Sequence, residues 1–357
     1  MIRGILGAVL VAALAGSTQA APPTLKMAVI DMEEGAATLF VTPEGRSLLI
    51  DTGASVRNGL DGAKNSADRV AAVARSLGVT KIDYLIVTHY HGGHIGGVED
   101  LAAKIPIGTF IDHGPNTDLP VAGEAPEAQG SRMARRSMQY YAKYLEIIKG
   151  HRRIIAKPGD VLRFGSLTAT IVASAGKTLT APLPAAGGPG SRCDTAPMAD
   201  NGGIENTNSV ASILTFGKVR IAALGDIVWN QEHDLACPVD KIGHVNILLV
   251  THHGNGLSTN PAIIAALRPD IAVMANSAVY GAVPPTVNTI GQSPGLQGFW
   301  KMHASKANPG LDGDPDYIAN LNPAPDHGDS IRLTVSRAGR VTVANSRNGF
   351  SRTYQVK

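Results

Sequence analysis

The 357 residues are 44% hydrophobic and 17% charged, the composition of a globular protein with apolar content enough for a sizeable core. A net charge of +3, with acidic and basic residues well mixed, gives no global argument for nucleic-acid or membrane binding. The length allows one large domain or two small ones.

The chain opens with "MIRGILGAVLVAALAGSTQA", in which Arg3 precedes an apolar stretch from Ile5 to Ala15 and then small residues. That is the pattern of a cleaved secretory signal over residues 1–20, and it makes a periplasmic or secreted protein the expectation. No later stretch reaches ~18 apolar residues, so no transmembrane segment is expected in the mature chain. From residue 25, "LKMAVIDM", "AATLFVT" and "RSLLIDTG" read as short strands separated by glycine-containing turns. Val70, Val73 and Leu77 are spaced for a helix over about Ser66 to Leu77. The strand "IDYLIVT", a helix from Ile95 to Lys104 and the strand "IGTFIDHG" follow. Arg132 to Arg153 reads as one long, locally basic helix, a solvated face or an attractor of anionic substrates. "KPGDVLRFGSLTATIVAS" gives two strands across a Phe-Gly turn. The Gly- and Pro-rich stretch from Gly176 to Gly203 is the candidate lid or pocket wall. "SVASILTFGKVRIAALGD" is a hairpin, "VNILLVTHHGNG" another strand, and Pro284 to Asp326 is mostly loop before a final strand-rich stretch. Nothing divides residues 21–357, which read as a single domain with a loop-rich C-terminal extension from about residue 280. The two cysteines, Cys193 and Cys237, are a candidate disulfide in an exported chain.

The chemistry concentrates in "DYLIVTHYHGGHIGG", Asp83 to Gly97. Extended backbone aims residues i and i+2 the same way, so His89 and His91 point together. Gly92 and Gly93 allow a sharp turn that brings His94 back to the same point. Three converging neutral imidazoles are zinc ligands in the making. Asp51 and Asp226 each end an apolar strand, where a carboxylate must be paired, hydrogen-bonded or on a metal. "VNILLVTHHG" echoes "IDYLIVTHYHGG" and adds His252 and His253 at a further strand end.

These motifs in this order, "LLIDTG", "THYHGGHIGG", "ENTNS", "LGD" and "THHG", resemble the metallo-β-lactamase fold superfamily of metal-dependent hydrolases. The nearest likeness is to the branch with the nuclease-like domain of competence protein ComEC and the phosphorylcholine esterases, and it covers about residues 25 to 275. The resemblance implies an α+β fold, a four-layer αββα sandwich of two mixed β-sheets flanked by helices, with metal at the edge of the sheets. It implies His89 and His91 as first-metal ligands, Asp226 as the bridging carboxylate, and His94 with His253 at a second metal. His252 then becomes a substrate-facing neighbour that assists catalysis. Four residues before Ser209, where the family carries a further histidine, stands Glu205, a candidate metal ligand or supporting acid. The departure is Gly93, which replaces the aspartate of the family's HxHxDH. Three consequences are open: the enzyme runs on one ion, Asp112 or Glu205 substitutes, or the site is degenerate.

The function expected is therefore a secreted metal-dependent hydrolase that uses a zinc-activated water on an ester or phosphodiester-type bond. One or two zinc ions are expected, the second site weakened by Gly93, with manganese or iron as alternatives. The alternatives in function are a β-lactam or lactone hydrolase of the same fold, and a metal-poor, non-catalytic ligand-binding protein. The expected partner is a small-molecule or envelope-derived ester. At 4% aromatics the chain shows no stacking track for nucleic acid.

Overall fold

Short runs rich in Val, Ile and Leu, buried on both faces, become strands of two sheets. The computed structural model describes residues 23–33, 35–54, 66–118, 125, 129–184, 186–198, 204–321 and 327–357. The expected signal segment lies outside these residues. The first sheet takes β1 (Thr24–Val29), β2 (Thr38–Val41), β3 (Ser47–Ile50), β4 (Ile82–Ile86), β5 (Ile107–Asp112) and β6 (Arg152–Ile155). The second takes β7 (Val161–Phe164), β8 (Leu167–Ser174), β9 (Lys177–Thr178), β10 (Ala211–Phe216), β11 (Val219–Ala223), β12 (Ile247–Leu249), β13 (Ile271–Met274), β14 (Gly298–His303) and β15 (Ile318–Asn320). β16 (Ile331–Ser336), β17 (Arg340–Asn345) and β18 (Ser351–Gln355) then return to the first sheet beside β1.

The helices are α1 (Ser66–Ser76), α2 (Gly92–Ile95), α3 (Val98–Ala102), α4 (Gln129–Ile147), α5 (Ile204–Thr207), α6 (Trp229–Ala236), α7 (Pro261–Leu267) and α8 (Pro284–Gly291). Phe40, Ile86, Phe216, Ile221 and Trp300 interlock in the core between the sheets. Val70, Leu101 and Tyr144 fix α1, α3 and α4 to the outer face of the first sheet. Leu235, Ile263 and Leu267 fix α6 and α7 to that of the second. The result is the expected αββα sandwich. Each fully buried side chain of this size contributes about 1.5–3 kcal/mol.

Strands β3 to β6 run parallel, as do β11 to β15. Loops at the carboxyl ends of parallel strands are where open α/β sheets place their ligands. Here those ends carry Asp51, His89, His113, Asp226, His252 and His303.

Several elements depart from the sequence expectation. The helix expected over Ile95 to Lys104 is two short helices, α2 and α3. The break is at Gly97, where a Cβ would stand 2.3 Å from the carbonyl oxygen of Thr52. The long basic helix stops at Ile147, and Arg152 opens β6, because Gly150 turns the chain at φ +78°. The segment expected to be loop-rich from about residue 280 supplies α8, two strands of the second sheet and three of the first. Cys193 and Cys237 form a disulfide. It ties Cys193, in the segment expected to be a lid or pocket wall, to Cys237 at the end of α6, and residues 196 and 198 of that segment are held against α6: Trp229 Nε1 donates to the Ala196 carbonyl and Met198 N–H to Asn230 Oδ1. Among the described residues, no helix is long and apolar enough to cross a membrane.

Candidate metal centre

The site is assembled from strand ends. Asp51 follows β3 with φ +60°, a left-handed conformation that Asp tolerates better than most residues. There it accepts hydrogen bonds from Thr88 N–H, Thr88 Oγ1–H and His94 Nδ1, each at 2.8 Å. A carboxylate only accepts, so His94 carries its proton on Nδ1 and turns the other nitrogen, Nε2, inward. Thr88 Oγ1 gives its one proton to Asp51 and therefore accepts from His89 Nδ1 at 3.1 Å. That sets the His89 tautomer in the same sense. His253 Nδ1 donates to the Ala275 carbonyl oxygen at 2.9 Å, and its Nε2 also faces inward.

The inward nitrogens surround one oxygen. From Asp226 Oδ2, the Nε2 atoms of His94, His252, His253 and His89 lie at 3.3, 3.6, 3.6 and 3.9 Å. His94 and His253 are 3.3 Å apart, Nε2 to Nε2, and His89 Nε2 is 3.1 Å from His91 Nδ1. With Nδ1 of His94 and of His253 each donating away from the centre, their Nε2 atoms face one another and need a proton or a metal cation between them. Ligands ~2.1 Å from one ion stand ~3.4 Å apart at the tetrahedral angle. The triangle of His94, His253 and Asp226, with edges of 3.3, 3.3 and 3.6 Å, matches that spacing. The donor set therefore fits zinc or a similar divalent ion.

The electrostatics agree. Burial lowers the pKa values of His89, His91 and His253 and holds His252 near about 4, so these imidazoles are neutral, the form that ligates. Burial would lower His94 too, but the carboxylates of Asp226 and Asp51 on either side prevail and raise it to about 10. Burial opposes ionisation of Asp226, yet the imidazoles around it, His94 foremost through its charge and its hydrogen bond, hold it well below the usual carboxylate range. In the absence of an ion a proton on His94 balances this charge, and a bound metal takes that proton's place.

Glu205 is fully buried and stands behind this ring rather than in it. Its Oε1 accepts from Tyr90 N–H and from His113 Nε2 at 3.0 Å, and Asn208 Nδ2 lies 3.5 Å from its other oxygen. Its negative charge still reaches His91. Asp112 does not substitute for a carboxylate at residue 93. Both its oxygens hold the Arg153 guanidinium, at 2.7 and 2.8 Å, and Tyr144 donates to it as well. A second group, Asp31, Glu33 and His303, lies nearby in composition but has a cation built in: Arg69 Nη1 is 2.7 Å from Asp31 Oδ2.

A cavity of about 270 Å³ opens over the ring. His91, His94, Asp226 and both residues of His252-His253 face it, and Met133, Arg136, Tyr140 and Tyr280 form its walls. Gly92 admits the Tyr140 ring, which a Cβ there would meet at 2.9 Å. Gly93 borders the cavity, and its carbonyl accepts from Ala36 N–H at 3.1 Å. Thr88, Ser258 and the Ala275 carbonyl, which set tautomers, escaped sequence reasoning, as did Tyr140; Arg136 belongs to the basic stretch read as an attractor of anions, and Asn206, in "ENTNS", lines the cavity with His91.

Residues 33–165 match the family model described as Metallo-beta-lactamase superfamily. The chain has the metallo-β-lactamase fold. Among curated proteins it is 21% identical over 261 residues to Recombination protein 2 of Haemophilus influenzae, covering 72% of this chain and 25% of that protein. It is 26% identical over 127 residues to Ribonuclease Z of Clostridioides difficile, covering 36% of each. The chain thus spans a quarter to about a third of the curated relatives it matches. Solved structures similar to it include Igni18, a metallo hydrolase from Ignicoccus hospitalis, at 14% identity and TM-score 0.40, covering 77% of this chain and 94% of that one. YhfI, a metallo-beta-lactamase fold protein from Bacillus subtilis, matches at 13% identity and TM-score 0.41, covering 78% and 96%.

The loop that carries His252 and His253 in this metallo-β-lactamase fold rests on Glu232 of α6. This carboxyl is fully buried, and its Oε2 accepts from Asn260 N–H at 2.7 Å, while its Oε1 has no partner among the described residues. Burial pushes it up to about 8, against the partial counter-pull of Asn260, Thr251 and Thr259. The folded chain therefore keeps a proton that the unfolded chain, with an ordinary carboxyl near 4.5, releases. The contribution of this group to stability falls as pH rises from about 4.5 to about 8, by up to roughly 5 kcal/mol, and no further above that. Glu232→Gln should remove this dependence, so urea unfolding should show a variant that gains on wild type between pH 5 and 8. Parallel curves would show that Glu232 ionises normally.

Proposed function

We propose that the chain is a metal-dependent hydrolase acting on an ester or phosphodiester-type bond, with zinc as its ion. The reading rests on one observation: four imidazole nitrogens lie 3.3–3.9 Å from Asp226 Oδ2 at the floor of an open cavity. His94, His253 and Asp226 would hold an ion at that floor, and His89 with His91 form the adjoining pair. A divalent ion bound there supplies Lewis acidity and lowers the pKa of a coordinated water toward ~7.

The chain's own residues do the rest. Asp51 and Thr88 lock the ligating tautomers of His94 and His89. Glu205 anchors the β4 end through Tyr90 N–H and supports His91 electrostatically. Arg136 places a positive charge on the cavity wall beside Tyr140, where the anionic part of a substrate would lie. A volume of about 270 Å³ suits a small molecule or one group of a larger one. The N-terminal sequence and the Cys193–Cys237 disulfide support an exported enzyme.

The test is a panel of bis(p-nitrophenyl) phosphate, simple esters, lactones, β-lactams and short RNA, given to zinc-loaded wild type and to His89→Ala. One class should be hydrolysed at least ~10²-fold faster by wild type, the scale of losing one preorganised catalytic group. Equal rates on every class, with equal zinc content, would leave a ligand-binding protein in place of an enzyme.

A further inference from the structure

Gly93 contributes no donor, so the ion held by His94, His253 and Asp226 needs another ligand to close its shell. We infer that His252 is that ligand, in the coordination position that a carboxylate at residue 93 would fill. The inference rests on the metal-binding reading above and assigns both residues of His252-His253 to one ion.

Hydrogen bonding decides the tautomer. Ser258 Oγ gives its single proton to the Ile227 carbonyl at 2.7 Å. It can only accept from its second neighbour, His252 Nδ1, at 3.1 Å. His252 therefore carries its proton on Nδ1 and directs the Nε2 lone pair at Asp226 Oδ2, 3.6 Å away. Two acceptors in that contact gain nothing from each other. They gain when both bind a cation, and 3.6 Å is the separation of two ligands ~2.1 Å from one ion at ~118°, within the tetrahedral range.

The backbone is arranged for the same end. Neighbouring residues normally send their side chains to different sides. His252 and His253 are both left-handed, at φ +54° and +57°, a conformation that bulky residues avoid. With it, two adjacent imidazoles place their Nε2 atoms at the same 3.6 Å from one oxygen. The backbone carbonyl of Ala275 and the hydroxyl of Ser258 pin the two rings from behind. His252 is only 4% exposed, which suits a ligand better than a group that meets substrate.

The exchange of a carboxylate for an imidazole also changes the charge. With Asp226 as the one carboxylate among these four ligands, a divalent ion keeps a net charge of about +1 and should hold an anionic substrate group more strongly.

The experiment measures Zn²⁺ affinity by competition with a chelator, and the visible absorption of the Co²⁺ form, for wild type, His252→Asn, His252→Gln and the double variant Gly93→Asp/His252→Asn. Asn tolerates the left-handed backbone. The variants used are those whose metal-free melting midpoints stay near that of wild type. Loss of a supporting residue weakens a metal 10–100-fold, so loss of the ligand should weaken Zn²⁺ by more than ~100-fold and change the Co²⁺ spectrum. Gly93→Asp should recover at least ~10-fold of the loss. Wild-type affinity and an unchanged Co²⁺ spectrum in the His252 variants would overturn the assignment while leaving the metal centre standing. A wild type that binds no Zn²⁺ would overturn the metal reading and this inference with it.

Discussion

Asp226→Asn is expected to fold, to lose Zn²⁺ affinity by more than ~100-fold, and to lose hydrolytic activity by ~10³-fold or more. The substitution keeps the side chain's shape and removes its charge. That charge is what the Nε2 atoms of His89, His94, His252 and His253 share, and among the described residues no second carboxylate reaches those atoms at comparable distance: Asp51 takes the Nδ1 side of His94, Glu205 is engaged by Tyr90 and His113, and Asp112 by Arg153. Thermal unfolding with and without zinc gives a readout independent of substrate. A ligand that binds only the folded state adds about 2.7 kcal/mol at 100 times its Kd. The wild type should therefore melt higher with zinc, and Asp226→Asn should not. An Asn variant that melts higher with zinc by the same margin as wild type would show that the ion, if bound, lies elsewhere.

Asp51→Asn should act one step removed from the ion and with comparable force on catalysis. Asp51 uses its two oxygens for three bonds, two from Thr88 and one from His94 Nδ1. An amide in its place turns one of those positions into a donor. If the donor faces His94, the imidazole must reverse its tautomer and point N–H at Asp226 instead of a lone pair. Metal affinity should fall by ~10–100-fold, as it does when the partner of a ligating histidine is removed. Asp51→Ala should do worse by another route, leaving the Thr88 and His94 donors buried without an acceptor, at about 1–3 kcal/mol each. Chelator competition measures the first effect and urea unfolding the second. Undiminished affinity in Asp51→Asn would show that the orientation of His94 does not depend on this carboxylate.

The strand ends that build the site were legible because each couples a buried apolar run to a polar residue that cannot be left there unpaired. "LLIDTG", "LIVTHYH", "AALGD" and "LLVTHHG" all follow that rule, and the structure brings the four ends together. The turn through Gly92 and Gly93 was legible for the same local reason. What lay outside the sequence was anything decided by contacts distant along the chain. Arg153 was read as part of a helix, but its guanidinium forms a bidentate pair with Asp112, and its backbone joins β5 as an edge strand. Glu205 stood at the right spacing for a ligand, but Tyr90 N–H and His113 draw it behind the ring. The strands β14 and β15 were missed because short parallel strands buried on both faces show no alternation, and the surrounding Pro and Gly residues read as loop. The tautomers of His94, His252 and His253 depend on a carboxylate, a hydroxyl and a carbonyl at strand and loop ends, which no local pattern announces.

The central claim is that a divalent ion sits where His94, His253 and Asp226 converge. Anomalous diffraction at the zinc edge from zinc-loaded crystals locates that ion directly. The account requires a peak ~2.0–2.2 Å from His94 Nε2, His253 Nε2 and Asp226 Oδ2. A zinc-loaded protein with no peak there, or with its zinc beside Asp31 and His303 instead, would contradict it.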